Sequence, residues 1–121
     1  MSAMNSTNII AEKTKKFAIR IIKFAKFLRQ EGVDVIIVRQ LLKSGTSIGA
    51  NTRESSNAQS KDDFIHKLSI ALKEADETAY WLELLVGAED ITQKQFDSLN
   101  ADLKEIIALL TSIIKTSKGI Q

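Results

Sequence analysis

Apolar residues recur three and four positions apart along four stretches of the chain, and no proline interrupts any of them. That spacing puts each set on one face of an α-helix, whereas a half-buried strand would need strict alternation. The first stripe is Ile10, Phe17, Ile21, Phe24 and Leu28, with Thr14 filling the gap. The second is Val35, Val38, Leu41, Leu42 and Ile48, and the third is Phe64, Leu68, Ala71, Ala75, Ala79, Leu82 and Leu85. Phe96, Leu99, Leu103, Ile106, Leu110 and Ile113 complete the set.

The punctuation between stripes agrees with this reading. Gly32 ends the first helix, since a residue without Cβ takes the left-handed conformation at no steric cost. Asp34 is the N-cap of the second helix, and Ser60 to Asp63 forms an acidic variant of a capping box that opens the third. Gly87 is expected to close the third helix and Thr92 to Gln95 to cap the fourth, which frays after Lys115. The predicted helices cover about residues 8–31, 35–57, 61–86 and 93–115 of a single domain, 1–121. Short links make successive helices antiparallel, so the expected fold is all-α: an antiparallel up-down-up-down four-helix bundle.

Composition narrows the chemistry. The chain has 121 residues, no cysteine and one histidine, so it cannot by itself build a Cys/His zinc site, an iron–sulfur site or a thiol nucleophile. No cofactor or metal is expected. His66 has Asp62 and Asp63 one turn before it, but a di-iron bundle needs a second His. Nor does His66 follow an arginine at the four-to-six-residue spacing of compact helical ribonucleases, since Arg53 is the nearest upstream. His66 reads as a surface or interface side chain, and the chain reads as non-enzymatic. No uncharged stretch reaches the roughly 18 residues that span a bilayer, so the expectation is a cytoplasmic protein without membrane insertion.

The charge is uneven. Residues 1–53 carry a net +7 and residues 54–121 a net −5. Lys13, Lys16, Arg20 and Lys23 form one contiguous strip on helix one, with Lys15, Lys26 and Arg29 on its other side. Such a strip attracts phosphate oxygens of RNA or DNA. It also fits a solvated helix face, pairing with the acidic half of another copy or a protein partner, or a membrane surface. Further apolar residues exceed four inward stripes: Ile19, Ile22, Tyr80, Trp81, Ile107 and Ile114 are candidates for contacts between copies in a homo-oligomer, or for a wider seam within one chain.

The stretch from Arg39 to Ala58 is poor in helix formers, with Ser44, Gly45, Ser47, Gly49, Ala50 and Asn51 close together. Small residues permit close helix approach, and Ser or Asn51 can hydrogen-bond across the gap. A phosphate-binding loop is disfavoured because no Gly-Lys-Ser/Thr follows. Arg39, Arg53, Glu54 and Glu77 are candidates for partly buried ion pairs across helices two and three, with a general acid or base as the alternative role.

Arg39, Gln40, Leu41, Ser44, the run Ser47-Ile48-Gly49-Ala50-Asn51, Glu54, Phe64, Leu68, Ile70-Ala71 and Glu77 together resemble the four-helix-bundle proteins encoded within intervening sequences of bacterial 23S rRNA genes. The chain departs from that pattern at Gly49, where the family often has Pro, and at Ser55, where it often has Gly. The resemblance implies a bundle that assembles into a ring, typically a homopentamer. Relatives accompanying diversity-generating retroelements look like basic, barrel-shaped partners of nucleic acid and reverse transcriptase. The resemblance implies a fold and an assembly, and no activity.

Overall fold

The computed structural model describes residues 3–120, with side chains from Ser6 onward. Residues 1, 2 and 121 of the single-domain reading lie outside the described residues. Four helices follow in order: α1 (Ala3–Gln30), α2 (Val35–Ser55), α3 (Lys61–Gly87) and α4 (Gln93–Ser117). Each packs on two neighbours, α1 on α2, α2 on α3, α3 on α4 and α4 on α1, which closes a four-helix bundle around one core. Cross-helix contacts run antiparallel. Gly45 and Gly49 of α2 lie against Ile21 and Thr14 of α1, while Ser44 and Glu54 of α2 meet Thr78 and Lys67 of α3.

The caps explain the helix boundaries. Asp34 accepts from the Ile36 N–H, Ser60 from the Asp63 N–H, and Thr92 and Gln95 form a reciprocal capping box. Gly32 has φ +77° and lets the Val33 N–H reach the Leu28 carbonyl, which ends α1. Gly87 differs from expectation. It stays helical, and Glu89 takes the left-handed conformation at φ 64° while the Asp90 N–H bonds back to the Leu85 carbonyl. The fourth helix runs past Lys115 to Ser117, where Gly119 at φ +76° closes it in the same way.

The core is built from the stripes. Ile10, Phe17, Ile21, Leu28, Val38, Leu41, Ile48, Leu68, Leu82, Leu103, Ile106 and Leu110 are buried. Six stripe positions differ: Val35, the first residue of α2, is exposed because the buried face of that helix begins at Val38, and Phe24, Leu42, Phe64, Ala79 and Phe96 are only partly buried at the edges of the core, while Ala25 beside Phe24 is fully enclosed. Ile91, in the α3–α4 link, is buried and anchors that connection to the core.

The small-residue segment works as a packing device. A Cβ on Gly45 would stand 2.8 Å from Ile21 Cγ2, and one on Gly49 would stand 3.3 Å from the Thr14 carbonyl oxygen. Ser44 is buried and bonds across to α3. Three members of the set do less. Ser47 donates to the Lys43 carbonyl and Asn51 to the Ser47 carbonyl, both within α2, and Ala50 is exposed. Side-chain hydroxyls and amides satisfied one turn back need no partner across the gap.

Candidate nucleic-acid interface

The basic strip occupies the flank of α1 that faces α4, and this placement changes its electrostatics. Lys13 Nζ pairs with Glu105 at 3.0 Å. Arg20 pairs with Asp102 at 2.7 Å and also donates to the Ser98 carbonyl at 3.1 Å. Half of the strip is therefore tied to acids of the same chain, because antiparallel packing brings the acidic face of α4 alongside. Lys16 and Lys23 are exposed and form none of the ion pairs found among the described residues. An exposed pair contributes about 0–1 kcal/mol, so these contacts hold side chains in place more than they hold the bundle together.

Sequence reasoning missed the other wall of this flank. Lys94, Gln95 and Ser98 on α4 join Arg20, Lys23, Phe24 and Phe27 around a cleft of about 450 Å³. The Phe24 and Phe27 rings lie 6.0 Å apart and 24° from parallel. Asp102 and Glu105, three residues apart on one face of α4, meet the strip beside this cleft and are not part of its lining.

The expected ion pairs across α2 and α3 are not partly buried. Arg39, Arg53, Glu54 and Glu77 are all exposed, and of the four only Glu54 forms an ion pair among the described residues, with Lys67 at 3.1 Å. The polar link inside the α2–α3 seam is made by Ser44 and Thr78 instead, which avoids burying charge. One carboxyl is perturbed. Glu74 is raised above the ordinary range, chiefly because burial penalises its charged form and then because Glu77 is near, with Lys43 and Lys73 acting the other way.

His66 is exposed on α3. Among the described residues no group of three or more His, Cys, Asp or Glu is placed to hold a metal ion. No described helix is long and apolar enough to cross a membrane.

The candidates for contacts between copies divide. Ile19, Ile22 and Tyr80 are 45%, 39% and 54% exposed, whereas Trp81 and Ile107 pack partly buried against the core and Ile114 is buried within the chain itself. Ile114 leaves the set because α4 turns a wider apolar face inward than one stripe provides. The exposed group gains Val35, Ile36 and Leu84.

The comparisons with known proteins agree with this architecture. A crystal structure of a protein with unknown function from the S23 ribosomal protein family of Bacteroides thetaiotaomicron VPI-5482 superimposes with a TM-score of 0.89. The two are 54% identical, and the match covers 91% of this chain and 98% of that one. No curated protein matches the chain. Residues 6–112 match the profile described as 23S rRNA-intervening sequence protein, and with nearly the whole bundle inside that match, the chain belongs to the 23S rRNA-intervening sequence protein family.

Proposed function

We propose that this chain is a non-enzymatic, cytoplasmic scaffold that forms a ring-like homo-oligomer and binds RNA or DNA through the basic flank of α1. The observation that carries the reading is the state of the four strip cations. Lys13 and Arg20 are held by Glu105 and Asp102, while Lys16 and Lys23 lie on the surface of the same flank without a carboxylate partner among the described residues. Lys94 faces the same cleft from α4. Phosphate contacts from such cations recognise the backbone and carry no sequence information, and a ring would repeat them around its rim.

Assembly can draw on a different surface. With the buried stripe of α1 at zero and about 100° per residue, Ile22 falls at about +120°, away from the Lys16 and Lys23 strip, whereas Ile19 falls at about 180° and borders it, so copies that associate through Ile22 leave the strip open. A pentamer is the number that family resemblance supports.

Titration of labelled RNA at two salt concentrations tests the reading. Affinity is expected to fall steeply with salt, and Lys16→Glu with Lys23→Glu is expected to lower the slope of log K against log salt by about 1.4, roughly 0.7 for each lost phosphate contact on a single strand. Absence of binding at low salt removes the proposal. The second reading is a protein-interaction scaffold whose charges serve assembly, with Lys16 and Lys23 meeting acids of another copy, since Lys13 and Arg20 are paired within the chain. It predicts no RNA binding, with oligomer mass falling as salt rises.

A further inference from the structure

The cleft between α1 and α4 combines two chemistries that a plain phosphate-binding strip does not need. Its floor is aromatic: Phe27 is 37% exposed, and Phe24, stacked beside it, packs back onto the core. Its lining is also cationic, with Lys23 from α1, Lys94 from α4, and the Arg20 guanidinium held by Asp102 and the Ser98 carbonyl. The volume of about 450 Å³ lies within the roughly 300–1,000 Å³ of pockets that enclose small ligands.

A ring with open π-faces above a stacked phenylalanine pair, and a phosphate on either lip, matches this arrangement. We infer that the α1–α4 cleft receives an unpaired base of a single-stranded nucleic acid, stacked on Phe27, with its flanking phosphates at Lys23 and Lys94. The inference rests on the nucleic-acid reading above and deepens it. A duplex keeps its bases inside the stack and offers the cleft only sugar and phosphate, so the site discriminates for single strands. The lining cations select an anionic occupant over an apolar one. The cleft lies on the opposite flank of α1 from Ile22, so assembly through that residue leaves it open.

The test uses fluorescence anisotropy with the full chain. The probes are labelled oligo(U) of about ten nucleotides, within the roughly 4–16-nucleotide sites of single-strand binders, and an abasic sugar-phosphate oligomer of equal length. Phe27→Ala is expected to weaken oligo(U) binding about ten-fold, the loss of one stacked base, and to leave the abasic oligomer unchanged. Phe27→Tyr is expected to restore binding. Lys94→Glu, a surface change that leaves packing alone, is expected to weaken both probes, and oligo(dT) is expected to bind as oligo(U) does.

Salt-dependent oligo(U) binding that is indifferent to Phe27→Ala, or to Lys94→Glu, overturns the cleft assignment while the phosphate-binding reading stands. Equal affinity for the abasic oligomer and oligo(U) overturns it likewise, as does binding of oligo(U) alone with no effect of Phe27→Ala. Failure of every probe to bind at low salt removes both.

Discussion

Thr78 Oγ1 donates a hydrogen bond of 2.9 Å to Ser44 Oγ where both side chains are buried, joining α3 to α2 through two hydroxyls. Each hydroxyl also lies near a carbonyl of its own helix, Thr78 at 2.8 Å from Glu74 and Ser44 at 3.3 Å from Leu41. A buried hydroxyl that lost its partner across the seam would therefore still have an acceptor. Ser44→Ala and Thr78→Val are each expected to destabilise the fold by about 0.5–1.5 kcal/mol, the net contribution of one hydrogen bond, and not by the larger penalty of an orphaned donor. The double variant should lose less than the two singles together. Urea unfolding of the four proteins measures that coupling.

The glycines predict opposite outcomes for the same chemical change. Gly45→Ala places a methyl 2.8 Å from the branched Cγ2 of fully buried Ile21, which cannot swing away, so overpacking of about 1–3 kcal/mol outweighs a helix-propensity gain of about 1 kcal/mol or less. Gly87→Ala meets nothing within 4 Å in a helical position and is expected to stabilise by about 0.4–1 kcal/mol. Thermal unfolding of both variants should move the midpoint in opposite directions. A stabilised Gly45→Ala protein would show that α1 and α2 are not in close contact there.

Those two positions also show what was legible beforehand. The stripe spacing reported the core faces, because burial follows the helical period, and the run from Ser44 to Asn51 reported close approach, because nothing else offsets such poor helix formers. What could not be read was which side of each helix met which neighbour. The pairing of Lys13 with Glu105 and Arg20 with Asp102 depends on α1 and α4 lying side by side, which no local pattern encodes. Gly87 misled for a related reason. A glycine near a helix end suggests the left-handed residue, yet burial of Ile91 draws the chain back two residues later, and Glu89 takes that conformation. The cleft was missed because Phe27 belongs to no inward stripe and Lys94 lies inside the α4 capping box, two residues after Thr92, so neither signals a site by itself.

Glu74 supplies a pH dependence. Its carboxyl is raised above the ordinary 4.5, mainly by burial and secondarily by Glu77. A carboxyl whose folded-state pKa lies above its unfolded value binds its proton more tightly in the fold, so its contribution favours the native state at low pH and is lost as pH rises through the raised value. Glu74→Gln removes that loss. The variant is expected to be more stable than the parent at about pH 7, with the difference closing as pH falls below the ordinary carboxylate range. Denaturation midpoints of the two proteins across this window are the measurement, and a gap that widens toward acid would contradict the assignment.

Asp102 sets how much of the α1 flank is available to a polyanion. Its carboxylate neutralises Arg20, and both side chains are well exposed, so Asp102→Asn is expected to change stability by about 1 kcal/mol or less. The same change frees the guanidinium beside Lys16 and Lys23. If the flank binds phosphate, one added contact contributes roughly 0.7 to the slope of log K against log salt, which near 0.1 M raises affinity for single-stranded RNA about five-fold. Glu105→Gln should act in the same direction through Lys13. The paired measurement of unfolding and RNA titration separates the possible roles of these carboxylates: tighter binding at unchanged stability marks acids that limit a nucleic-acid surface, whereas unchanged binding together with lost stability marks acids that serve the bundle alone.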